Sequence, residues 1–211
     1  MAPLDYLAGL RRGAAAAEPP GSVGRGAADV GGAASEPLRL VDLGAGGGLP
    51  SLAILDRLPD WNAVLLDAIQ KRCSFLVWAV GELGVSDRVE VWCGRAEEIG
   101  HEERARFRFD AVVARGFGPP ASTVECGAPL LRRGGLLMIS EPPEGRHWPA
   151  EGLAKVGMTE VGSTGIESAR DESSGAAGPG PWPSVMVLRR DGDVPPIHPR
   201  RAKAQQRTPL F

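Results

Sequence analysis

The sequence predicts an α/β fold: a doubly wound, mostly parallel seven-stranded sheet that ends in an antiparallel hairpin. Three observations carry this. Short apolar runs alternate with helix-spaced patterns from residue 38 onward. The first run, 38–43, leads directly into Gly44-Ala45-Gly46-Gly47-Gly48 and then a helical pattern. The last two runs, 159–163 and 184–189, have no helical pattern between them, which suits a hairpin at one edge of the sheet.

The elements follow in order. Residues 1–12 could form one or two helical turns, and 13–37 are rich in Ala, Gly, Pro and Ser. Such a stretch buries too little surface to offset its ordering, so 1–37 reads as a flexible leader. In 38–43, Leu38, Leu40, Val41 and Leu43 read as a buried parallel strand. Pro50 stands at an early helical position, where a missing N–H costs nothing. Leu52, Ile54, Leu55 and Leu58 supply that helix, and Pro59-Asp60 ends it. The run 63–66 is a second strand, closing at Asp67. Ile69, Cys73, Leu76, Val77, Val80 and Leu83 recur at helical spacing, with Gly84 as the stop. Strands are expected at 88–93, 109–114 and 136–140, with a short charged helix or turn at 96–106. Pro119-Pro120 opens a helix that runs through Leu131, and Gly134-Gly135 turns into the fifth strand. A weak helix near 150–156 and a mobile loop at 168–183 complete the reading. The organisation is a leader (1–37), one domain (38–190) and a basic C-terminal tail (191–211).

Composition narrows the function classes. The chain has 211 residues and a formal net charge of −2, so any nucleic-acid contact must use a local basic patch. Three cysteines, Cys73, Cys93 and Cys126, lie far apart with no C-x-x-C spacing. That argues against a disulfide framework or a metal site and for a reducing compartment, with all three packing as small hydrophobes. No apolar run reaches membrane-spanning length, and Arg11 and Arg12 interrupt any signal-peptide core. A soluble cytoplasmic protein is expected.

The glycine turn is the first candidate site. A strand, a glycine-rich turn and a helix start form a place for a nucleoside-bearing ligand, because the backbone can approach closely. The spacing is G-x-G-x-G, and by itself it also fits a mere tight turn. Asp67, at the tip of the second strand, can take both ribose hydroxyls or cap the following helix. Lys71 and Arg72 can reach phosphates or neutralise nearby carboxylates. Arg200, Arg201, Lys203 and Arg207 form either a phosphate-contacting arm or a solvated end.

Together these motifs resemble the class I S-adenosylmethionine-dependent methyltransferases, and more narrowly the family of small-subunit ribosomal RNA methyltransferase G, or glucose-inhibited division protein B. The matching residues are 41–50 (Val-Asp-Leu-Gly-Ala-Gly-Gly-Gly-Leu-Pro), Leu65-Leu66-Asp67 with Lys71-Arg72 and Phe75-Leu76, and Gly94-Arg95-Ala96-Glu97-Glu98. Further matches are 109–115 (Phe-Asp-Ala-Val-Val-Ala-Arg), Pro129-Leu130-Leu131 with Gly134-Gly135, and the tail Pro199-Arg200-Arg201, Lys203 and Pro209-Leu210. The resemblance implies S-adenosylmethionine as cofactor and methylation of guanine N7 in bacterial 16S rRNA, with the rRNA or small ribosomal subunit as partner. It places Gly44, Gly46 and Leu49 at the cofactor from the first loop, with Asp67 at the ribose. It also places Ala96 and Glu97 beside the adenine, and Arg115 near the methionyl part and the substrate. For Arg115 an ion pair with Glu97 or Glu98 is the alternative. The sequence departs from the family in three places. The leader replaces an N-terminal segment with Trp-Asn and His-x-x-Asp-Ser, Ser51 replaces a common Gly, and Ser140-Glu141-Pro142-Pro143 replaces a common Lys-Gly.

Guanine N7 has a lone pair and no proton, so no catalytic general base is expected and no metal is needed. Proximity and electrostatics then carry the reaction. Exocyclic-amine methylation would want a polar residue where Gly116-Phe117-Gly118-Pro119-Pro120 stands, and carbon methylation would want a nucleophilic cysteine. Cys126 sits mid-helix in an apolar pattern and reads as core. The alternatives are a methyltransferase acting on another RNA or a small molecule, and a noncatalytic protein that binds cofactor and ribosome.

Overall fold

The computed structural model describes residues 7, 10, 36–142, 144–164 and 184–211. Five strands run parallel: β1 (Arg39–Leu43), β2 (Asn62–Asp67), β3 (Val89–Cys93), β4 (Phe109–Ala114) and β5 (Leu131–Ser140). β7 (Val185–Arg190) pairs antiparallel with both β5 and β6 (Met158–Thr164). The sheet order is β3-β2-β1-β4-β5-β7-β6, the doubly wound, seven-stranded arrangement with a C-terminal hairpin that the sequence predicts. The helices are α1 (Ser51–Arg57), α2 (Gln70–Glu82), α3 (Ala96–Ile99), α4 (Pro120–Gly127), α5 (Ala150–Ala154) and α6 (Ala202–Arg207).

Strand alternation divides the interior into two layers. Val41, Leu43, Val64, Leu66, Val112 and Leu137 face one side with Val124, Leu153 and Leu210. Leu40, Ala63, Leu65, Ala111 and Val113 face the other with Leu55, Leu76 and Val80. Leu7, helical and fully buried, joins the second layer. Burial on both faces explains why these strands read as continuous apolar runs. Leu76 is fully buried, so truncation to Ala would cost on the order of 2–5 kcal/mol.

The structure corrects several expectations. β5 starts at Leu131, not at 136, and α4 ends at Gly127 followed by a 3-10 turn, Ala128–Leu130. A bulge is the reason: Phe109 pairs with Leu131 but Ala111 pairs with Leu136, with Gly134 at φ +79 between. Of the charged stretch 96–106, only Ala96–Ile99 is helical. Cys73 and Cys93 form a disulfide with Cα atoms 5.8 Å apart, so two of the three cysteines do not pack as separate small hydrophobes. The β2–α2–β3 crossover sets the first turns of α2 beside the end of β3, a proximity that linear spacing does not show. Cys126 is free and buried as expected. Residues 1–6, 8, 9 and 11–35 of the expected leader and the whole of the 168–183 loop lie outside the described residues. The basic segment after β7 packs on the α4 side of the sheet, burying Val194, His198, Gln205 and Leu210. Lys155 Nζ donates to the Leu210 carbonyl at 2.7 Å, and Phe211 stands against Trp148. Among the described residues, no helix is long and apolar enough to cross a membrane.

Candidate cofactor and substrate pocket

The strand order reverses between β1 and β4. In open α/β sheets, ligands bind at the carboxyl ends of the strands at such a point. A cavity of about 410 Å³ opens there, bounded by Gly44, Asp67, Ala96, Glu97, Phe117 and Gln206, among others. Its size falls within the roughly 300–1,000 Å³ of small-molecule sites.

The glycine turn forms the first wall and is held by backbone hydrogen bonds. Gly44 and Ala45 N–H both donate to the Leu66 carbonyl, at 2.9 and 3.0 Å. Gly44 has φ +77, and a Cβ there would stand 2.9 Å from Phe117 Cδ2. Only a glycine fits that conformation beside that ring. Asp67 ties the turn to β2: one carboxylate oxygen accepts from Gly46 N–H and the other from Ile69 N–H, each at 2.9 Å. Arg72 lies 3.6 Å from the same carboxylate. Ile69 is the N-cap of α2 and the helix has no side-chain cap, so Asp67 closes the turn ahead of the helix rather than capping it, and it also bounds the cavity. An ionised carboxylate has about four acceptor sites, so these contacts leave capacity for hydroxyl donors.

The other predicted residues divide. Gly44, Asp67, Arg72, Ala96 and Glu97 all bound the cavity. Gly46 acts through its N–H on Asp67. Leu49 and Arg115 do not bound it: Leu49 is 52% exposed, and Arg115 is exposed one residue before Gly116-Phe117-Gly118, which do. Glu97 pairs with Arg95 at 3.2 Å rather than with Arg115. Lys71 is exposed on α2. Arg201 and Lys203 are exposed at the start of the C-terminal helix.

Arg200 is committed inside the protein. Its Nε and Nη2 donate to the two Glu125 carboxylate oxygens at 2.7 Å each, and its backbone N–H adds a third bond at 2.9 Å. His198 Nδ1 lies 2.8 Å from the same carboxylate. Burial works to raise the Glu125 carboxyl, but the Arg200 and His198 contacts outweigh it and hold it below the usual range. Gln205 then donates to the Arg200 carbonyl at 2.6 Å. This chain of contacts sets Ala202, Gln205 and Gln206 as the second wall of the cavity.

Sequence reasoning missed these three and Ser122. The turn after β4, Gly116-Phe117-Gly118, was findable by the strand-end rule; the glutamines carried no local signal. Asp42 was also missed. It is 1% exposed beneath the glycine turn, and burial pushes its carboxyl up to about 6, against the opposing pull of Ser51 and Arg115. Its Oδ2 and the Ser51 Oγ lack partners of hydrogen-bonding geometry among the described residues. Burial pushes the Cys126 thiol up to about 12, which leaves it protonated and unsuited to nucleophilic attack. Glu141, in the departing strand-five motif, is buried and accepts from Trp148 Nε1 at 2.6 Å. Among the described residues, no group of three or more His, Cys, Asp or Glu could hold a metal ion.

Comparison with known proteins bears on the fold and the family. Solved structures of similar fold include TYW2 from P. horikoshii in complex with MeSAdo. It has TM-score 0.52 and 16% identity, and the match covers 74% of this chain and 58% of that one. The StiE O-MT structure matches at TM-score 0.52 and 12% identity, over 73% and 68% of the two chains. These likenesses establish the class I methyltransferase fold. Curated relatives include the ribosomal RNA small subunit methyltransferase G of Moorella thermoacetica, 28% identical over 82% of this chain and 69% of that protein. The enzyme of the same name from Streptococcus pyogenes serotype M49 is 38% identical over 50% of this chain. That match spans less than half of the relative's own length, 44%. The family model for GidB, rRNA small subunit methyltransferase G, matches residues 30–142, more than half of the sequence. The chain therefore belongs to the GidB family of small-subunit rRNA methyltransferases.

Proposed function

We propose that the chain transfers the methyl group of S-adenosylmethionine to N7 of a guanine in 16S rRNA. The observation that carries this reading is the cavity at the strand-order reversal, with the Gly44 turn tied to Asp67 on one side and Ala96-Glu97 on the other. S-adenosylmethionine supplies an electrophilic methyl on a sulfonium. The backbone at Gly44 lets the cofactor approach β1, Asp67 accepts from its ribose hydroxyls, and Ala96 and Glu97 border its adenine. Arg115, exposed at the end of β4, reaches the methionyl carboxylate or the RNA. Guanine N7 attacks the methyl carbon with its lone pair, the carbon–sulfur bond breaks, and S-adenosylhomocysteine leaves. The positive charge passes to the 7-methylguanine, and no proton moves. A general base has no task here, so alignment and electrostatics suffice. Arg72, Lys71, Arg201 and Lys203 supply phosphate contacts, and the cytoplasm, where small subunits are assembled, is the expected site of action.

The test is nucleoside mass spectrometry of 16S rRNA from cells with and without the gene, joined to in vitro methyl transfer by the purified chain. One 7-methylguanosine should vanish with the gene and be restored by the protein. An unchanged nucleoside profile, with cofactor still bound by the protein, would instead favour another RNA or a small-molecule substrate.

A further inference from the structure

The outer face of α2 is apolar where a solvated helix should be polar. Phe75 is 45% and Trp78 59% exposed, and their rings lie 5.6 Å apart. Cys73, Leu76, Ala79 and Val80 already anchor the opposite face in the core. Helical spacing puts Lys71, Phe75 and Trp78 in one line along the outside, at i, i+4 and i+7. Exposed aromatic pairs are uncommon enough on a globular surface to signal a partner.

We propose that this face, Lys71–Phe75–Trp78, is a landing platform for single-stranded RNA next to the nucleotide being methylated. The proposal rests on the reading of the cavity as an rRNA methyl-transfer site. Two observations select RNA as the occupant. First, the aromatic pair is headed by cations: Lys71 and Arg72 are both exposed in the first turn of the same helix, whereas the acidic Glu82 lies at its far end. Phosphates are attracted at one end and repelled at the other, so a strand would enter from the Lys71 side. Second, the line is continuous with the cavity. Ile69 and Arg72 both bound the cavity and are about half exposed, at 48% and 55%. At ~1.5 Å rise per residue, Phe75 and Trp78 stand about 5 and 9 Å further along the helix, on the scale of one or two stacked nucleotides. A target base can thus enter the cavity while its neighbours stack on the rings and their phosphates meet the cations. Aromatic stacking of this kind tolerates any base.

The test compares Phe75→Ala/Trp78→Ala with Phe75→Tyr/Trp78→Phe in the full chain. Fluorescence anisotropy with a single-stranded RNA of about 12 nucleotides reads binding, and calorimetry reads S-adenosylmethionine affinity. The alanine pair should weaken RNA binding at least ~10-fold and raise KM for rRNA, with cofactor affinity held within about twofold. The aromatic pair should retain near wild-type RNA affinity. RNA affinity unchanged in a folded alanine pair overturns the platform. If melting temperature falls while RNA affinity holds, the face belongs to packing within the chain. If a dimer dissociates while RNA affinity holds, it belongs to a second copy. The anisotropy measurement needs no methyl transfer, so an inactive wild-type enzyme would count against the proposed reaction and leave the platform to be judged by RNA binding alone.

Discussion

The two walls of the cavity are built by different physics. The glycine turn, 44–48, is continuous with β1 and is held by short-range geometry: a positive φ, backbone hydrogen bonds to β2 and one carboxylate. The wall formed by 202–206 comes from the far end of the chain and is anchored by the Glu125–Arg200 ion pair, with the His198 ring on the same carboxylate and Arg106 donating to the His198 carbonyl. The first wall depends on a conformation, and the second on a charge balance. Substitutions in the walls should therefore fail in different ways: ligand affinity at the glycine turn, pH-dependent stability at Glu125, with the buried Asp42 beneath the turn adding a pH dependence of opposite sign.

The largest effect is expected from Arg200→Ala. It leaves Glu125, 0% exposed, without its main partner, and removing one member of a buried pair costs about 3–5 kcal/mol. The sign with pH is defined. In the wild type the Glu125 carboxyl lies below its usual value, so its stabilising contribution is present above about 4.5 and is lost as pH falls through the folded value. The deficit of the variant should be greatest near neutrality and narrow in acid, where a protonated Glu125 tolerates burial. Urea titrations across pH measure this, and a loss under ~1 kcal/mol at neutrality would mean the cluster does not hold the wall.

Asp42→Asn probes the base of the first wall. The folded carboxyl is raised from 3.8 to about 6, so the folded state holds a proton that the unfolded state has released. Wild-type stability should fall as pH rises from about 4 to 6, by up to ~3 kcal/mol. The variant should lose that slope and be more stable at neutral pH. A slope unchanged by the substitution would move the titration to another group.

Gly44→Val should cut S-adenosylmethionine affinity about 10- to 100-fold, matching a strain of about 1–3 kcal/mol at a positive φ, with Phe117 displaced as well. Calorimetry on the folded variant decides it, and unchanged affinity would remove the turn from the site. The smallest effect is expected from Arg201→Gln with Lys203→Gln. Because Arg200 is tied to Glu125, these two residues test a phosphate role of this segment without disturbing the fold. Removing them should flatten the log–log salt dependence of RNA binding by about 1.4, at roughly 0.7 per charge on a single strand. No change in slope would leave RNA contact to α2.

Local pattern made the sheet and half of the site readable. The runs ending at Leu43, Asp67 and Ala114 read as strands because short, mainly apolar stretches bounded by turn signals suit strands buried on both faces of a parallel sheet. Gly44, Asp67 and Ala96 sit at strand ends, where chemistry follows from position. The bulge at Gly134 was not readable, since it depends on which partner residues of β4 are opposed. Nor was the Cys73–Cys93 pairing, which needs the crossover geometry of α2. The basic tail illustrates the limit most clearly. Charge count suggested a free cationic arm, yet Arg200 is matched to a glutamate that sequence spacing does not point to.

What the sequence by itself determined is therefore whatever acts over a few neighbouring residues: strand and helix periodicity, the glycine turn, the acid at the tip of β2, and with them the fold class and family. What only the tertiary structure decided is what distant segments do to one another. It closed the cavity with Gln205 and Gln206, assigned Arg200 to Glu125, raised the Asp42 carboxyl and left Phe75 and Trp78 facing solvent. The physical reason is that burial and ion pairing depend on through-space distance, which the fold sets, whereas backbone preference depends on neighbours along the chain.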